Sequence, residues 1–116
     1  MSDATPIPTF REIIIDPAKL RDYCLSPSHP RGRHKARVFR SRLRLGAADT
    51  EKLRQALLEA VRRGPQQLVL RKTDHHGRHY VLDFQMSTAA GSATVRSIWI
   101  VPVGQEVLRF VTCYVM

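Results

Sequence analysis

The first part of the chain places its apolar residues at helical spacing. The β-branched run from Ile13 to Ile15 predicts a short strand. Asp16 and Pro17 then predict a helix start, because aspartate caps helices and proline suits the first helical position. The apolar residues of this first helix fall on one face: Leu20, Tyr23 and Cys24.

Two longer helices are predicted next. One runs from about His34 to Leu43, and we expect Gly46 to close it. Its inner face is narrow: Ala36, Phe39 and Leu43. The other runs from Thr50 to Arg63 and ends at a glycine–proline pair. Its buried stripe is broader: Leu53, Leu57, Leu58 and Val61.

After Pro65 the apolar period changes from 3.6 to 2, which predicts strands. The four predicted strands cover residues 67–73, 79–86, 93–101 and 106–116. Both faces of the third are apolar, which favours a central position in the sheet. The fold class is therefore α+β, with two to three N-terminal helices packed on a four-stranded antiparallel sheet.

Residues 1–12 are predicted to be a flexible leader and residues 13–116 a single domain. The N-terminus lacks the basic and apolar regions of a secretory signal, and no apolar run is long enough to span a bilayer. We therefore expect a cytoplasmic protein with no membrane contact.

Charge is concentrated in one segment. The chain has 19 basic and 10 acidic residues, and its formal charge is +9. The segment Arg31–Arg44 holds six arginines and one lysine but no acid. Guanidinium groups match phosphate oxygens bidentately, so a phosphate or nucleic-acid partner is predicted. An acidic protein and a plain solvated surface are the alternatives. The predicted nucleic-acid-binding residues are Arg31, Arg33, Arg37, Arg40 and Arg44.

A strand interior is an unusual place for an arginine, and Arg96 occupies one. If the last two strands form a hairpin, Arg96 can lie near Thr112 and Tyr114. The alternative is an arginine on the solvated sheet face, paired with Asp83 or Glu106.

A second candidate is the start of the second helix, where Arg33, His34 and Lys35 follow Gly32. Cations oppose the helix dipole there, but they are tolerable if a phosphate binds between them. The alternative is a solvated helix start.

Metal chemistry has little support in the sequence. Cys24 and Cys113 have no zinc-ligand spacing and are expected to be buried, reduced thiols. One cluster could hold zinc but lacks an obvious fourth ligand: His75, His76 and His79. Histidines at a loop tip are more often surface residues, which is the favoured interpretation. We expect no metal and no cofactor. Enzymatic chemistry would then depend on His, Lys, Arg, Thr and Tyr, a set that suits metal-free RNA cleavage.

Most of residues 13–114 resembles a small bacterial domain family of unassigned function. The resemblance rests first on the segment 15–39, with the pattern IDPxKLxxYxLxPxHPxGxxKAxxF. It continues in the segments 80–83, 93–99 and 109–114. Such domains occur alone or at the ends of larger toxin-like proteins, often beside a small immunity-type partner. Their layout is similar to that of the barnase–EndoU–colicin–RelE superfamily of metal-independent ribonucleases.

The resemblance implies a toxin ribonuclease that cleaves RNA by attack of the 2′-hydroxyl, held by a small acidic antitoxin or immunity protein. It places Lys35, Arg96, Thr112 and Tyr114 on polar positions of the family pattern. We expect Lys35 and Arg96 to hold phosphate charge, and Thr112 or Tyr114 to donate a proton or anchor substrate. His34 is the candidate acid or base. The alternative function is a non-catalytic module that binds nucleic acid or an acidic protein.

Overall fold

Three helices precede a run of four strands in the part of the chain that the computed structural model describes, residues 8–116. The helices are α1 (Pro17–Lys19), which continues as a π-helical turn over Leu20–Cys24, α2 (Arg33–Leu43) and α3 (Thr50–Arg63). The strands are β1 (Glu12–Ile14), which precedes the helices, β2 (Val69–Asp74), β3 (Gly77–Thr88), β4 (Gly91–Pro102) and β5 (Val107–Val115). The fold class α+β is confirmed.

The strands form one mixed sheet in the order β1-β5-β4-β3-β2. Strands β2 to β5 make the predicted antiparallel meander, and β4 is central as predicted. The prediction of a four-stranded, wholly antiparallel sheet is wrong: within residues 8–116 the sheet has five strands, because β1 pairs in parallel with β5. Ile13 lies opposite Leu108. Sequence periodicity predicts a strand at Ile13 but does not identify a partner so far along the chain.

One face of the sheet carries the core, and the opposite face is partly open. The predicted inner faces of α2 and α3 are confirmed as buried. The predicted alternation in β3 is confirmed as well, with Tyr80, Leu82 and Met86 buried. In β4 the residues Val95 and Trp99 point to the core, whereas Arg96 between them is partly exposed.

The end of α2 differs from the prediction. The helix does end at Leu43, but Arg44 itself takes the left-handed conformation, with φ of 55°. Gly46 lies beyond the helix end in extended backbone, with φ of −125°. The prediction that Gly46 closes the helix is therefore wrong. An arginine takes the position that usually suits glycine.

The segment predicted as a leader is only partly within the described residues. Phe10 packs against the core, Arg11 N–H donates to the carbonyl of Glu106 (2.7 Å), and Glu12 begins β1. Residues 1–7 lie outside the described residues. None of the helices within 8–116 has the length and apolar character needed to cross a membrane.

Gly32 sets the distance between the first two helices. A Cβ at this position would lie 2.2 Å from the carbonyl oxygen of Tyr23, which is far inside contact distance. The absence of a side chain thus lets the start of α2 press against the π-helical turn. This contact places Lys35, three residues later, beside Tyr23.

Candidate functional site

Lys35 forms the centre of the candidate site. Its side chain is half-buried, and its Nζ donates to Thr112 Oγ1 at 3.2 Å. The same ammonium lies 5.0 Å from the ring centroid of Tyr23 and 5.5 Å from that of Tyr114, both within cation–π range. No carboxylate among residues 8–116 forms an ion pair with it. A partly desolvated cation that forms no ion pair with any of the described carboxylates is suited to an anionic ligand.

A bulge in the sheet turns Thr112 and Tyr114 toward the Lys35 ammonium. The register of β4 and β5 shifts between Ile98 and Trp99, so that Ile98 pairs with Thr112 but Trp99 pairs with Phe110. Phe110 therefore points into the core, while Thr112 lies on the opposite face of the strand. Bulges often re-aim side chains next to functional sites.

The outer edge of β5 is where Lys35 meets these residues. β1 pairs with β5 only from Val107 to Arg109. Past Arg109, α1 and its π-helical turn approach the edge, and Lys19 Nζ donates to the carbonyl of Phe110 at 3.2 Å. Lys35 comes from a helix on the core face yet contacts Thr112 and Tyr114. Its side chain therefore passes along this edge.

Two buried thiols lie beside Thr112. Cys24 Sγ is 3.5 Å from Thr112 Oγ1, and Cys113 is the next residue of β5. Both are free, as predicted. A hydrogen bond with the Cys113 thiol holds the pKa of Cys24 below its ordinary value. Thr112 and Lys35 lower it further, and burial opposes them. Burial raises the pKa of Cys113.

Arg96 lies next to Tyr114 in the sheet, but a carboxylate already holds it. Arg96 Nε donates to Asp83 Oδ1 at 2.9 Å, and its terminal nitrogen donates to Asp83 Oδ2 at 2.8 Å. This is the ion pair that the sequence left open as an alternative. The Asp83 hydrogen bonds raise the pKa of Arg96, and the Tyr114 hydroxyl adds to this effect. Tyr114 thus has both Lys35 and Arg96 as neighbours. Asp83 pairs with Arg96, whereas no carboxylate of residues 8–116 pairs with Lys35.

His34 is not brought into this cluster. Its side chain is exposed on α2 and makes no hydrogen bond with another of the described residues. Successive helical residues point about 100° apart, so Lys35 turns to the edge of β5 and His34 turns to solvent.

The predicted RNA-binding arginines gather along α2. Arg33, Arg37 and Arg40 are spaced four and three residues apart, which puts them on one face of α2, and Arg44 follows directly after the helix end. Arg31 lies in the loop before α2. All five are exposed, and none forms a salt bridge within residues 8–116. We call Arg33, Arg37, Arg40 and Arg44 the arginine stripe.

Two adjoining grooves follow the arginine stripe. A groove of about 450 Å³ is lined by Arg33, Arg37 and Arg40, and one of about 660 Å³ is lined by Arg40 and Arg44. They share Gly46, and a Cβ placed there would lie 3.3 Å from a terminal nitrogen of Arg40. The stripe therefore lines a continuous surface.

Sequence reasoning missed His29. Its Nδ1 accepts hydrogen bonds from the N–H groups of Arg31 and Gly32, both at 3.0 Å. Its ring packs edge-on against Tyr23, with centroids 4.7 Å apart. With Nδ1 occupied as an acceptor, the neutral ring carries its proton on Nε2, where it can only donate. The sequence does contain a signal for this residue, which is the short motif His29-Pro30-x-Gly32. We assigned His29 no function from that motif.

The histidines at the β2–β3 turn form a local structure. His79 Nε2 lies 2.9 Å from Asp74 Oδ1, and the rings of His75 and His76 are 3.9 Å apart. Across residues 8–116 no group of His, Cys, Asp and Glu is arranged to hold a metal ion.

Comparisons with known proteins identify the family. No curated protein and no solved structure matches the chain. A family model matches residues 7–116, which is nearly all of it. The chain therefore belongs to the family described as Domain of unknown function (DUF6883).

Proposed function

We propose that this protein is a metal-independent ribonuclease whose phosphate-binding centre is Lys35. The observation that carries the proposal is the half-buried ammonium at the edge of β5, which contacts a hydroxyl and two tyrosine rings but no carboxylate of the described chain. A phosphodiester would supply the missing negative charge.

The chemistry needs little from the protein, because RNA carries its own nucleophile. The 2′-oxygen bonds to phosphorus while the bond from phosphorus to the 5′-oxygen breaks, which leaves a 2′,3′-cyclic phosphate and a free 5′-hydroxyl. A base takes the 2′-hydroxyl proton, and an acid returns a proton to the 5′-oxygen. Negative charge grows on the non-bridging oxygens, where Lys35 stabilises it.

The other site residues take roles that fit their positions. Tyr114, between Lys35 and Arg96, is the proposed proton donor, and Thr112 holds the Lys35 ammonium in place. Arg96 is a positioning residue, since Asp83 occupies its guanidinium. His34 can take a proton from an RNA strand that crosses the start of α2.

The arginine stripe is proposed to hold the RNA backbone on the way to Lys35. Contacts between arginines and phosphates give affinity that is independent of sequence and falls with salt. Arg33 and Arg37 are each two residues from Lys35, so their side chains leave α2 on a different face. An RNA strand in the first groove must therefore pass around the start of α2 to reach Lys35.

The resemblance to toxin-associated ribonucleases agrees with this proposal. We include in it a cytoplasmic toxin and a small acidic antitoxin or immunity protein, whose acidic side chains would compete with RNA for the arginine stripe. The helices followed by an antiparallel meander support this assignment at the level of layout.

A second candidate is a non-catalytic RNA-binding module. The engagement of Arg96 by Asp83 and the exposure of His34 favour it, because both remove groups that catalysis could use. In that case RNA binds along the arginine stripe and remains intact.

The deciding experiment incubates the purified chain with RNA in the presence of EDTA. We expect cleavage with 2′,3′-cyclic phosphate ends, and its loss in Lys35→Met. The matched control is Lys52→Met, an exposed lysine on α3. RNA that binds but is never cut supports the second candidate, and a cut that requires added metal overturns the proposed mechanism.

In bacteria, expression of the wild type should arrest growth and fragment RNA, whereas Lys35→Met should do neither.

A further inference from the structure

A pocket adjoins the Lys35 cluster, because Tyr23 and Thr112, which contact the Lys35 ammonium, also line it. Its volume is about 590 Å³. The residues that line it come from α1 and its π-helical turn, the following loop, and β5: Ala18, Lys19, Asp22, Tyr23, His29, Val111 and Thr112. It is separate from the grooves of the arginine stripe, with which it shares no lining residue.

The pocket combines flat aromatic surface with polar groups. Tyr23 and His29 provide rings whose relative orientation is fixed by their edge-on contact, 76° between planes. Val111 adds apolar surface and is 38% exposed because the β5 bulge turns it away from the core. The polar groups of the lining are the imidazole of His29, the Lys19 ammonium, which already donates to the Phe110 carbonyl, and the Asp22 carboxylate, which Arg21 holds at 3.0 and 3.2 Å. Aromatic surface with a few polar groups is how proteins hold unpaired bases.

The position of the pocket relative to Lys35 limits what it can hold. Tyr23 and Thr112 line the pocket, and both also contact the Lys35 ammonium. A ligand that fills the pocket and also reaches Lys35 must therefore carry a flat polar ring and an anion a short distance apart. A nucleotide has this form, with its base and phosphate on either side of one ribose.

We propose that this pocket binds the base of one unpaired nucleotide, next to the phosphate held by Lys35. The inference rests on the proposed function and adds its substrate class, which is single-stranded RNA. A base in a duplex is stacked and paired and cannot enter the pocket, so duplex RNA should bind through the arginine stripe alone. Because stacking accepts any base, we expect selection of single strands rather than of a particular sequence.

The test uses a probe that the proposed chemistry cannot cut. Single-stranded DNA containing 2-aminopurine lacks the 2′-hydroxyl, and its fluorescence reports the surroundings of the base. We expect a change on binding to the wild type and none for the same probe in a duplex. Tyr23→Leu should weaken single-strand binding about tenfold, Tyr23→Phe should keep it, and Ala18→Phe, which fills the pocket from α1, should reduce it.

The control for an added aromatic ring is Val103→Phe, in the exposed β4–β5 loop, which should bind like the wild type. Equal fluorescence changes for single strand and duplex, or unchanged binding in both Tyr23→Leu and Ala18→Phe, overturn the base pocket even if RNA is cleaved. If the fluorescence responds as expected but RNA is not cleaved, the pocket stands and the ribonuclease proposal fails.

Discussion

Lys35 and Arg96 were both expected to bind phosphate, and the structure gives them opposite surroundings. Lys35 has a hydroxyl and two aromatic rings around it, whereas Arg96 has both oxygens of Asp83. Both are partly buried and both lie beside Tyr114. The difference teaches that two cations with the same sequence-based expectation can differ in whether the fold has already satisfied their charge. An unpaired cation attracts a ligand, while a paired one orients its neighbours.

The strongest test of this contrast compares RNA cleavage by Lys35→Met and Arg96→Met. Loss of an electrostatic contact to the transition state costs about 100-fold or more in rate, and we expect this for Lys35. For Arg96, which positions Tyr114, we expect about a tenfold loss, since one poorly oriented donor costs less. Single-turnover rates measure both. Equal losses would show that Arg96 leaves Asp83 to bind substrate.

Gly32→Ala should damage the Lys35 region and spare the Arg96 region. The new Cβ would meet the Tyr23 carbonyl at 2.2 Å, so the start of α2 must move. We expect a free energy of unfolding lower by about 1–3 kcal/mol, together with loss of cleavage. The control is Gly46→Ala, where the Cβ meets only the movable end of Arg40. Denaturant unfolding measures the difference. Wild-type stability in Gly32→Ala would contradict the close approach.

Neutralising Arg40 and Arg44 together should weaken RNA binding without touching the Lys35 cluster. For two lost phosphate contacts we expect the salt slope of single-strand affinity to fall by about 1.4. The matched control removes Arg62 and Arg78, two exposed arginines that line neither groove. Both double variants carry glutamine in place of each arginine, and RNA titrations at several salt concentrations measure the slope. If the slope falls equally in both double variants, the stripe acts only through net charge.

Asp83→Asn should release Arg96 and convert it toward the state of Lys35. The guanidinium then becomes free to meet phosphate, so RNA affinity should rise modestly, by about two- to fivefold at low salt. The control for the change in net charge is Glu12→Gln, because this exposed carboxylate forms no salt bridge within residues 8–116. Unchanged affinity in Asp83→Asn would mean that Arg96 is inaccessible to RNA even when unpaired.

The smallest effect concerns acid stability. The Arg96 hydrogen bonds hold the pKa of Asp83 below its ordinary value of 3.8. A carboxyl with a lowered folded pKa contributes stability that is complete above the unfolded value and is lost as pH falls through the folded one. We therefore expect Asp83→Asn to melt a few degrees below the wild type near neutral pH, and we expect this difference to shrink as the pH falls below 3.8. A deficit that persists in acid would point to packing rather than charge.

Most of the local structure was predictable because its signals are local. Spacing along the chain predicts the inner faces of α2 and α3. It also predicts the buried residues of β3 and the central position of β4. The end of α2 was misjudged because Arg44 adopts a conformation that arginine seldom takes. Packing of Leu43 and Leu45 into the core on either side of Arg44 accounts for it.

Composition and periodicity by themselves determined that this chain is a basic α+β domain with an arginine-rich second helix. Tertiary structure decided which of its cations are free. Asp83 pairs with Arg96 because β3 and β4 align those two positions, and Lys35 reaches Thr112 because a bulge turns Thr112 out of the core. Register, bulges and the approach of Gly32 to Tyr23 join residues far apart in sequence. No local pattern encodes them, since a shift of one residue along a strand reverses which face a side chain occupies.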